Sequence, residues 1–297
     1  MAAPSYALLE DRGLIAVEGE DARGFLQGLV SNDVDKVGAG CAVHAAFLTP
    51  QGKYLHDFFM VQMGDALVVD CEAGRADDLM RRLGVYKLRA RVTLSERTGD
   101  LAVAALFGEG VFESLGLPGR AGQAAPFAGG LAYVDPRLAA VGARAVLPRP
   151  GAGQALEKAG FRAATAAEYD TLRLGLGLPD GSRDMVVEKA TLLESGFDEL
   201  NGVDWDKGCY MGQELTARTK YRGLTKKRLM PVDIDGPVPP SGTPVMVDGK
   251  EAGEMRSARG SVGLALIRLE HLDKAAGARF TAGEARITPR KPDWAAF

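Results

Sequence analysis

From Leu229 to the C-terminus the chain is a series of short apolar runs cut by glycine and proline, a pattern that few folds accept. Runs of about four to eight residues are too short for ordinary globular helices and suit strands. Asp248-Gly249 stands between Val245-Met246-Val247 and the next run. A pair of this kind is a preferred two-residue hairpin turn, because both positions need positive φ. Residues 262–269 supply a further strand. A tail of this kind manages its strand edges by forming a small β-barrel or sandwich.

The N-terminal part reads differently. Residues 13–18 form a near-continuous apolar strand, and Glu20-Asp21 opens a helix with Phe25, Leu26 and Leu29 on one face. Residues 42–63 read as two strands joined by the turn-rich Thr49-Pro50-Gln51-Gly52, followed by a strand over 65–71 and an amphipathic helix over 75–83. Strands are expected over 86–94 and 100–106, a helix over 108–115, and loop over the Gly-, Ala- and Pro-rich residues 118–130. Strand, helix, strand, strand and helix in that order suit a ferredoxin-like α+β unit. Helices follow over 152–160 and 164–174. The fold class is therefore α+β with a β-rich C-terminal domain.

At 297 residues the chain suggests two or three compact units. A net charge of −3 gives no global pull toward nucleic acid or an anionic membrane, so direct nucleic-acid binding is not expected. No apolar run approaches the roughly 20 residues of a membrane span, and the first residues carry neither a secretory signal nor an Arg-rich presequence. The expected compartment is the cytoplasm. Cys41, Cys71 and Cys209 are scattered, without a Cys-x-x-Cys pair, which fits a reducing compartment and excludes a complete four-cysteine cluster within one chain. His44, His56 and His271 lack zinc spacing.

The densest candidate for chemistry is Lys207-Gly208-Cys209-Tyr210-Met211-Gly212-Gln213-Glu214. Glycines on both sides let backbone approach a ligand, and Cys209 reads as the start of a helix, where unpaired N–H groups favour a thiolate. Lys207 would act in the same sense. The alternative is a small apolar filler beneath that helix. The basic run Lys220, Arg222, Lys226, Lys227 and Arg228, with Tyr221, admits an anion-binding role, a phosphate track or a solvated linker. Gly175, Gly177 and Gly181 have the wrong spacing and context for a nucleotide loop.

The cysteine block, followed by Ala217-Arg218, resembles the YgfZ family of folate-binding proteins. These are linked to iron–sulfur cluster assembly and repair and are relatives of the glycine-cleavage T-protein. Phe25-Leu26-Gln27-Gly28 through Asn32-Asp33-Val34 looks like the family's opening signature. Leu48-Thr49-Pro50-Gln51-Gly52-Lys53 with Asp57-Phe58 looks like the second, and Tyr86-Lys87-Leu88-Arg89-Ala90 the third. Leu172-Arg173, Glu194, Ser257 and Gly263-Leu264-Ala265-Leu266 complete the order over nearly the whole chain.

The resemblance implies a three-domain ring around a folate channel. Residues 1–45 plus 135–222 would form a discontinuous T-protein-like domain, 46–134 an inserted ferredoxin-like domain, and 223–297 a C-terminal β-barrel. It implies tetrahydrofolate or a derivative as cofactor, with Glu194 accepting two pterin donors in a bidentate pair. Arg218, Tyr210, Gln213 and Asn32 would belong to the same site. Cys209 would be a functional thiol and one ligand of a transient iron–sulfur cluster shared with a carrier or client protein. Effects on tRNA modification would follow indirectly. Relatives with aminomethyltransferase activity carry adjacent carboxylates where this chain has His56-Asp57. Asp57 could hold a folate nitrogen, and a tetrahydrofolate-dependent one-carbon transferase is the alternative reading. A plain RNA- or protein-binding module using the basic run is a third.

Overall fold

The computed structural model describes residues 4–223, 225–272 and 279–297. Met1–Ala3, the first residues of the N-terminal stretch, and Leu224 within the basic run lie outside the described residues. The chain divides into two compact units, one of Met1–Leu48, Leu55–Tyr169 and Leu200–Met211, the other of Thr49–Tyr54, Asp170–Glu199 and Gly212–Phe297.

The first unit is built on two sheets. Its strands are β1 (Ser5–Leu8), β2 (Arg12–Glu18), β3 (Val43–Leu48), β4 (Tyr54–Met63), β5 (Ala66–Glu72), β6 (Thr93–Glu96), β7 (Leu101–Phe107), β8 (Ala124–Phe127), β9 (Gly130–Val134), β10 (Ala143–Pro148) and β11 (Arg162–Ala163). One sheet has the order β3-β4-β5-β2-β6 and the other β11-β1-β7-β10-β9-β8. Helix α1 (Ala22–Gln27) follows β2, and α2 (Ala76–Lys87) follows β5. Ala76, Leu79 and Leu83 are the buried stripe of α2, at the spacing that puts residues on one helical face.

Two local expectations fail for physical reasons. Residues 86–94 are not a strand: α2 runs on to Lys87, and only Thr93–Glu96 is extended. The helical periodicity of 76, 79 and 83 outweighs the β preference of Val85 and Tyr86. Residues 118–130 are not all loop, because β8 and β9 form a hairpin there, turned by Ala128 at φ 48° and Gly129 at φ 80°. Its alanine-rich strands carry little β propensity, so the pattern is silent.

The second unit contains a closed six-stranded barrel. Its strands are β12 (Lys227–Asp235), β13 (Pro244–Val247), β14 (Lys250–Arg259), β15 (Val262–Arg268), β16 (Phe280–Ala282) and β17 (Ala285–Pro289), in the order β12-β15-β14-β13-β16-β17. Alternate residues fill it: Met230, Val232 and Ile234, then Val245 and Val247, Ala265 and Ile267, Phe280 and Ala282, Ala285 and Ile287. Period two is the signature of a strand with one face inward. Asp248 at φ 49° and Gly249 at φ 76° make the expected hairpin turn. Register shifts at Val245/Met246 and between Met255 and Ala258 add the bends that closure needs.

Charge is also buried. In the first unit Asp70 is fully buried and joins Arg12 at 2.6 Å and Arg144 at 3.0 Å. Arg137 pairs with Asp135 at 2.8 Å. The guanidiniums of Arg144, Arg137 and Arg12 stand 4.2, 4.9 and 5.8 Å from the centre of the Phe59 ring, whose π face favours cations.

Candidate functional site

The loop that carries Cys209 is fixed to the first signature block by a set of short bonds. Asp204 N–H donates to Ser31 O at 3.0 Å, and Met211 N–H donates to Gly28 O at 3.1 Å. Ser31 Oγ donates to Gly202 O at 2.6 Å, and Asn32 Nδ2 to Asn201 O at 2.7 Å. Between these ties Lys207 Nζ donates to the carbonyls of Gln27, Val30 and Asn32 at 2.9, 2.6 and 2.7 Å. Those carbonyls lie at and just beyond the C-terminal end of α1, where a cation is favoured. Burial pushes the Lys207 pKa down to about 8, so at pH 7 the ammonium persists and can donate all three bonds. Its Nζ also stands 5.3 Å from the ring centre of buried Tyr210.

Cys209 is the exposed cysteine on this loop; Cys71 is buried and Cys41 half-buried. Burial pushes the Cys71 thiol up to about 12 and raises that of Cys41, so neither gives a ready thiolate. The expected helix start at Cys209 is not there. Helix α3 (Gln213–Arg222) begins four residues later, capped by Gly212 at φ 81°. The Lys207 ammonium is held by carbonyls and is not a free charge beside the thiol. Among the described residues no group of three or more His, Cys, Asp or Glu is arranged to hold a metal ion.

Asn32 and Asp57 are structural in their visible contacts. The Asn32 amide also donates to His44 O at 2.7 Å. Asp57 is buried and meets His44 Nε2 at 3.1 Å. His56, the other half of the candidate pair, meets Asp78 Oδ2 on α2 at 3.0 Å. Burial, aided by Arg75, pushes the His56 pKa down to about 4. Burial opposes ionisation of Asp78, but bonds from Arg82, Arg81 and His56 outweigh it and hold that carboxyl near 2. The neutral imidazole therefore donates to a carboxylate, locking β4 to α2.

A pH dependence follows. His56 has a folded pKa below its unfolded value of about 6.5, so its contribution is complete above that pH and is lost as pH falls toward 4. Burial lowers the pKa of His44 in the same sense. Urea unfolding at stepped pH should show a decline of about 3 kcal/mol between pH 6.5 and 4 from His56. His56→Gln should remove that part of the slope; an unchanged slope would exclude His56 as its source.

In the second unit the Thr49-Pro50-Gln51-Gly52 turn lies against the start of α3. A Cβ on Gly52, at φ 79°, would stand 2.7 Å from Gly212 O and from Leu215 Cβ, so only glycine fits. Helix α3 also packs on the short turn Leu193–Ser195 that carries Glu194. Glu194 accepts from Thr191 Oγ1 at 2.9 Å and lines an open cleft of about 450 Å³. Lys53, Lys189, Lys227, Asp184, Glu254 and Arg256 share its wall. Arg256 is bonded to Glu254. Asp184 is bonded to Arg173 at 2.6 Å and accepts from Ser257 N–H at 3.0 Å. Among the described residues Lys53, Lys189 and Lys227 have no carboxylate within ion-pair reach, which leaves the cleft with uncommitted cations beside Glu194. Positions 53, 189 and 227 are too far apart in the sequence for any spacing to group these lysines.

Gln213 opens α3, and Arg218 lies on its exposed face paired with Glu214 at 3.0 Å. Of the basic run, Lys220 pairs with Asp198 at 3.0 Å and Arg228 with Glu199 at 2.5 Å. Tyr221 is exposed, and the pairing of Lys220 and Arg228 with carboxylates takes two of the five cations out of a phosphate track. Cys209, Tyr210, Asn32 and Asp57 thus belong to one unit, and Glu194, Gln213 and Arg218 to the other.

Comparison with known proteins gives the lineage. The family description "CAF17, C-terminal beta-barrel domain" matches residues 226–297. Over 308 residues the chain is 34% identical to the mitochondrial iron-sulfur cluster assembly factor IBA57 of Homo sapiens, covering 96% of this chain and 84% of that protein. The chain belongs to the IBA57/CAF17 family. The Mus musculus protein of the same name is 32% identical over 312 residues, again with 96% and 84% covered. The IBA57 homologue of Aspergillus fumigatus is 31% identical over 314 residues, covering 89% of this chain and 70% of its own length. Among solved structures, the glycine cleavage system aminomethyltransferase T of Bartonella henselae superposes with a TM-score of 0.78 at 18% identity, covering 99% of this chain and 87% of that one. The IBA57/CAF17 chain therefore has the T-protein fold. Among its described residues no helix is long and apolar enough to cross a membrane.

Proposed function

We propose that the chain is an iron–sulfur cluster assembly or repair factor that binds tetrahydrofolate or a derivative and uses Cys209 as its working thiol. Near-full-length kinship with IBA57 proteins carries the first part. In this reading the cluster is cargo, shared with a carrier or client protein, because one exposed cysteine supplies one ligand. Changes in tRNA modification follow through iron–sulfur enzymes that modify tRNA. The compartment is a reducing one, the cytoplasm, and the three-part division with boundaries near 45, 134 and 222 goes with this reading.

The cleft supports folate chemically. A pterin offers an amino group and a ring N–H side by side, and Glu194 has acceptor capacity beyond its bond from Thr191. Lys53, Lys189 and Lys227 suit the carboxylates of the glutamyl tail. One-carbon transfer, the alternative, has the shared fold in its favour. Buried Asp57, engaged by His44, argues against it as a free acid beside a reacting nitrogen.

Calorimetric titration with tetrahydrofolate and 5-formyltetrahydrofolate tests this reading. Glu194→Ala should weaken binding roughly ten- to a hundredfold, since a charged hydrogen bond contributes about 1.5–3 kcal/mol. Affinity that is unchanged in the variant would remove Glu194 from the site, and failure of both ligands to bind the parent would remove folate.

A further inference from the structure

Large apolar side chains are exposed at five positions among the described residues, and three of them, Val85, Tyr86 and Leu88, fall within four consecutive residues. Val85 is 65% and Leu88 89% exposed. The cause is the length of α2, whose core stripe ends at Leu83 while the helix continues to Lys87. Tyr86 keeps an edge-on contact with Phe47, ring centres 6.1 Å apart, which steadies the projecting turn.

Leu88 then ends the helix at φ 44°, ψ −108°. That conformation is costly for a leucine and mild for a glycine, the usual residue at such a stop. An exposed side chain returns little packing energy to the fold, so the strain has no structural compensation at this residue. The charges around it are uneven. Arg82 and Arg91 are satisfied by Asp78 and Asp21 at 2.7 and 3.1 Å. Lys87 and Arg89 have no carboxylate within ion-pair reach among the described residues, although the chain as a whole carries −3.

We infer that Val85, Tyr86 and Leu88, rimmed by Lys87 and Arg89, form a docking knob for a partner protein that presents an apolar socket edged by Asp or Glu carboxylates. Two cations give too few phosphate contacts to hold a nucleic acid. Val and Leu offer no stacking surface for bases. A membrane surface calls for a larger apolar face and a denser cluster of basic residues. Aliphatic anchors with a charged rim match the anatomy of a protein interface.

The test is photocrosslinking in cells that carry the full chain with Val85→p-benzoylphenylalanine, followed by mass-spectrometric mapping of the crosslinked peptide. The expected product is one different protein, joined at a peptide where apolar residues adjoin Asp or Glu. Yield should fall at least tenfold in Lys87→Glu/Arg89→Glu, with melting temperature unchanged. Leu88→Gly should also lose the crosslink while raising the melting temperature, because it relieves the φ strain. Crosslinks to a second copy of the chain, to nucleic acid or to lipid would overturn the inference. So would absence of a product, or a yield indifferent to these substitutions.

Discussion

Asp70→Asn is expected to destabilise the two-sheet unit by about 3–5 kcal/mol, the usual cost of removing one partner from a buried ion pair. Asp70 is fully buried and is the carboxylate between Arg12 and Arg144. An asparagine keeps an acceptor oxygen but removes the negative charge that the two buried guanidiniums share. Trp205 lies in this unit and Trp294 in the other, so Trp205 fluorescence in a Trp294→Phe background reports on the right transition. The urea midpoint should fall at unchanged slope. Replacing the cluster together, as Arg12→Met/Asp70→Leu/Arg144→Met, should cost far less, because it removes the desolvation penalty along with the attraction. A loss below about 1 kcal/mol in Asp70→Asn would mean that water or a relaxed geometry already solvates the group.

That network marks the limit of what the sequence makes legible. The barrel is readable because its information is local: alternation along each strand, glycine and proline between strands, and Asp248-Gly249 at one hairpin. Glu194 and the cysteine block are readable through motif resemblance. Contacts between distant positions are not. Arg12 and Arg144 meet Asp70 across 58 and 74 residues, and no periodicity encodes that. The available signal was a charge inside an apolar strand, as in Val69-Asp70-Cys71 and Ala143-Arg144-Ala145. Such a charge must find a partner when buried. Lys207 illustrates the same limit within a recognised motif. Its place beside Cys209 in sequence suggests electrostatic support for a thiolate, yet its ammonium reaches back some 180 residues to close the carbonyls at the end of α1. Asp57 reads as a candidate catalytic acid until the neighbouring strand supplies His44.

The thiol itself is the sharpest point of the functional reading. Cys209→Ser is expected to abolish rescue of a strain lacking its own homologue while leaving the unfolding midpoint unchanged. Cys209 is exposed, so exchange of sulfur for oxygen removes a soft metal ligand without opening a cavity. Lys207→Met gives the complementary result. It removes the three carbonyl bonds that hold the loop between Asp204 and Met211, each a charged hydrogen bond contributing about 1.5–3 kcal/mol. The loop should become a protease target, and rescue should drop partly, since the thiol is still present but less fixed. Lys207→Arg should restore part of both. Full rescue by Cys209→Ser would remove the thiol from the mechanism and leave the fold and the Glu194 cleft as the working parts. Loss of rescue accompanied by a lowered midpoint would instead assign Cys209 to the fold. A purified Cys209→Ser protein that stays folded, binds folate and no longer supports iron–sulfur enzyme activity is the combination that separates cargo handling from both ligand binding and stability.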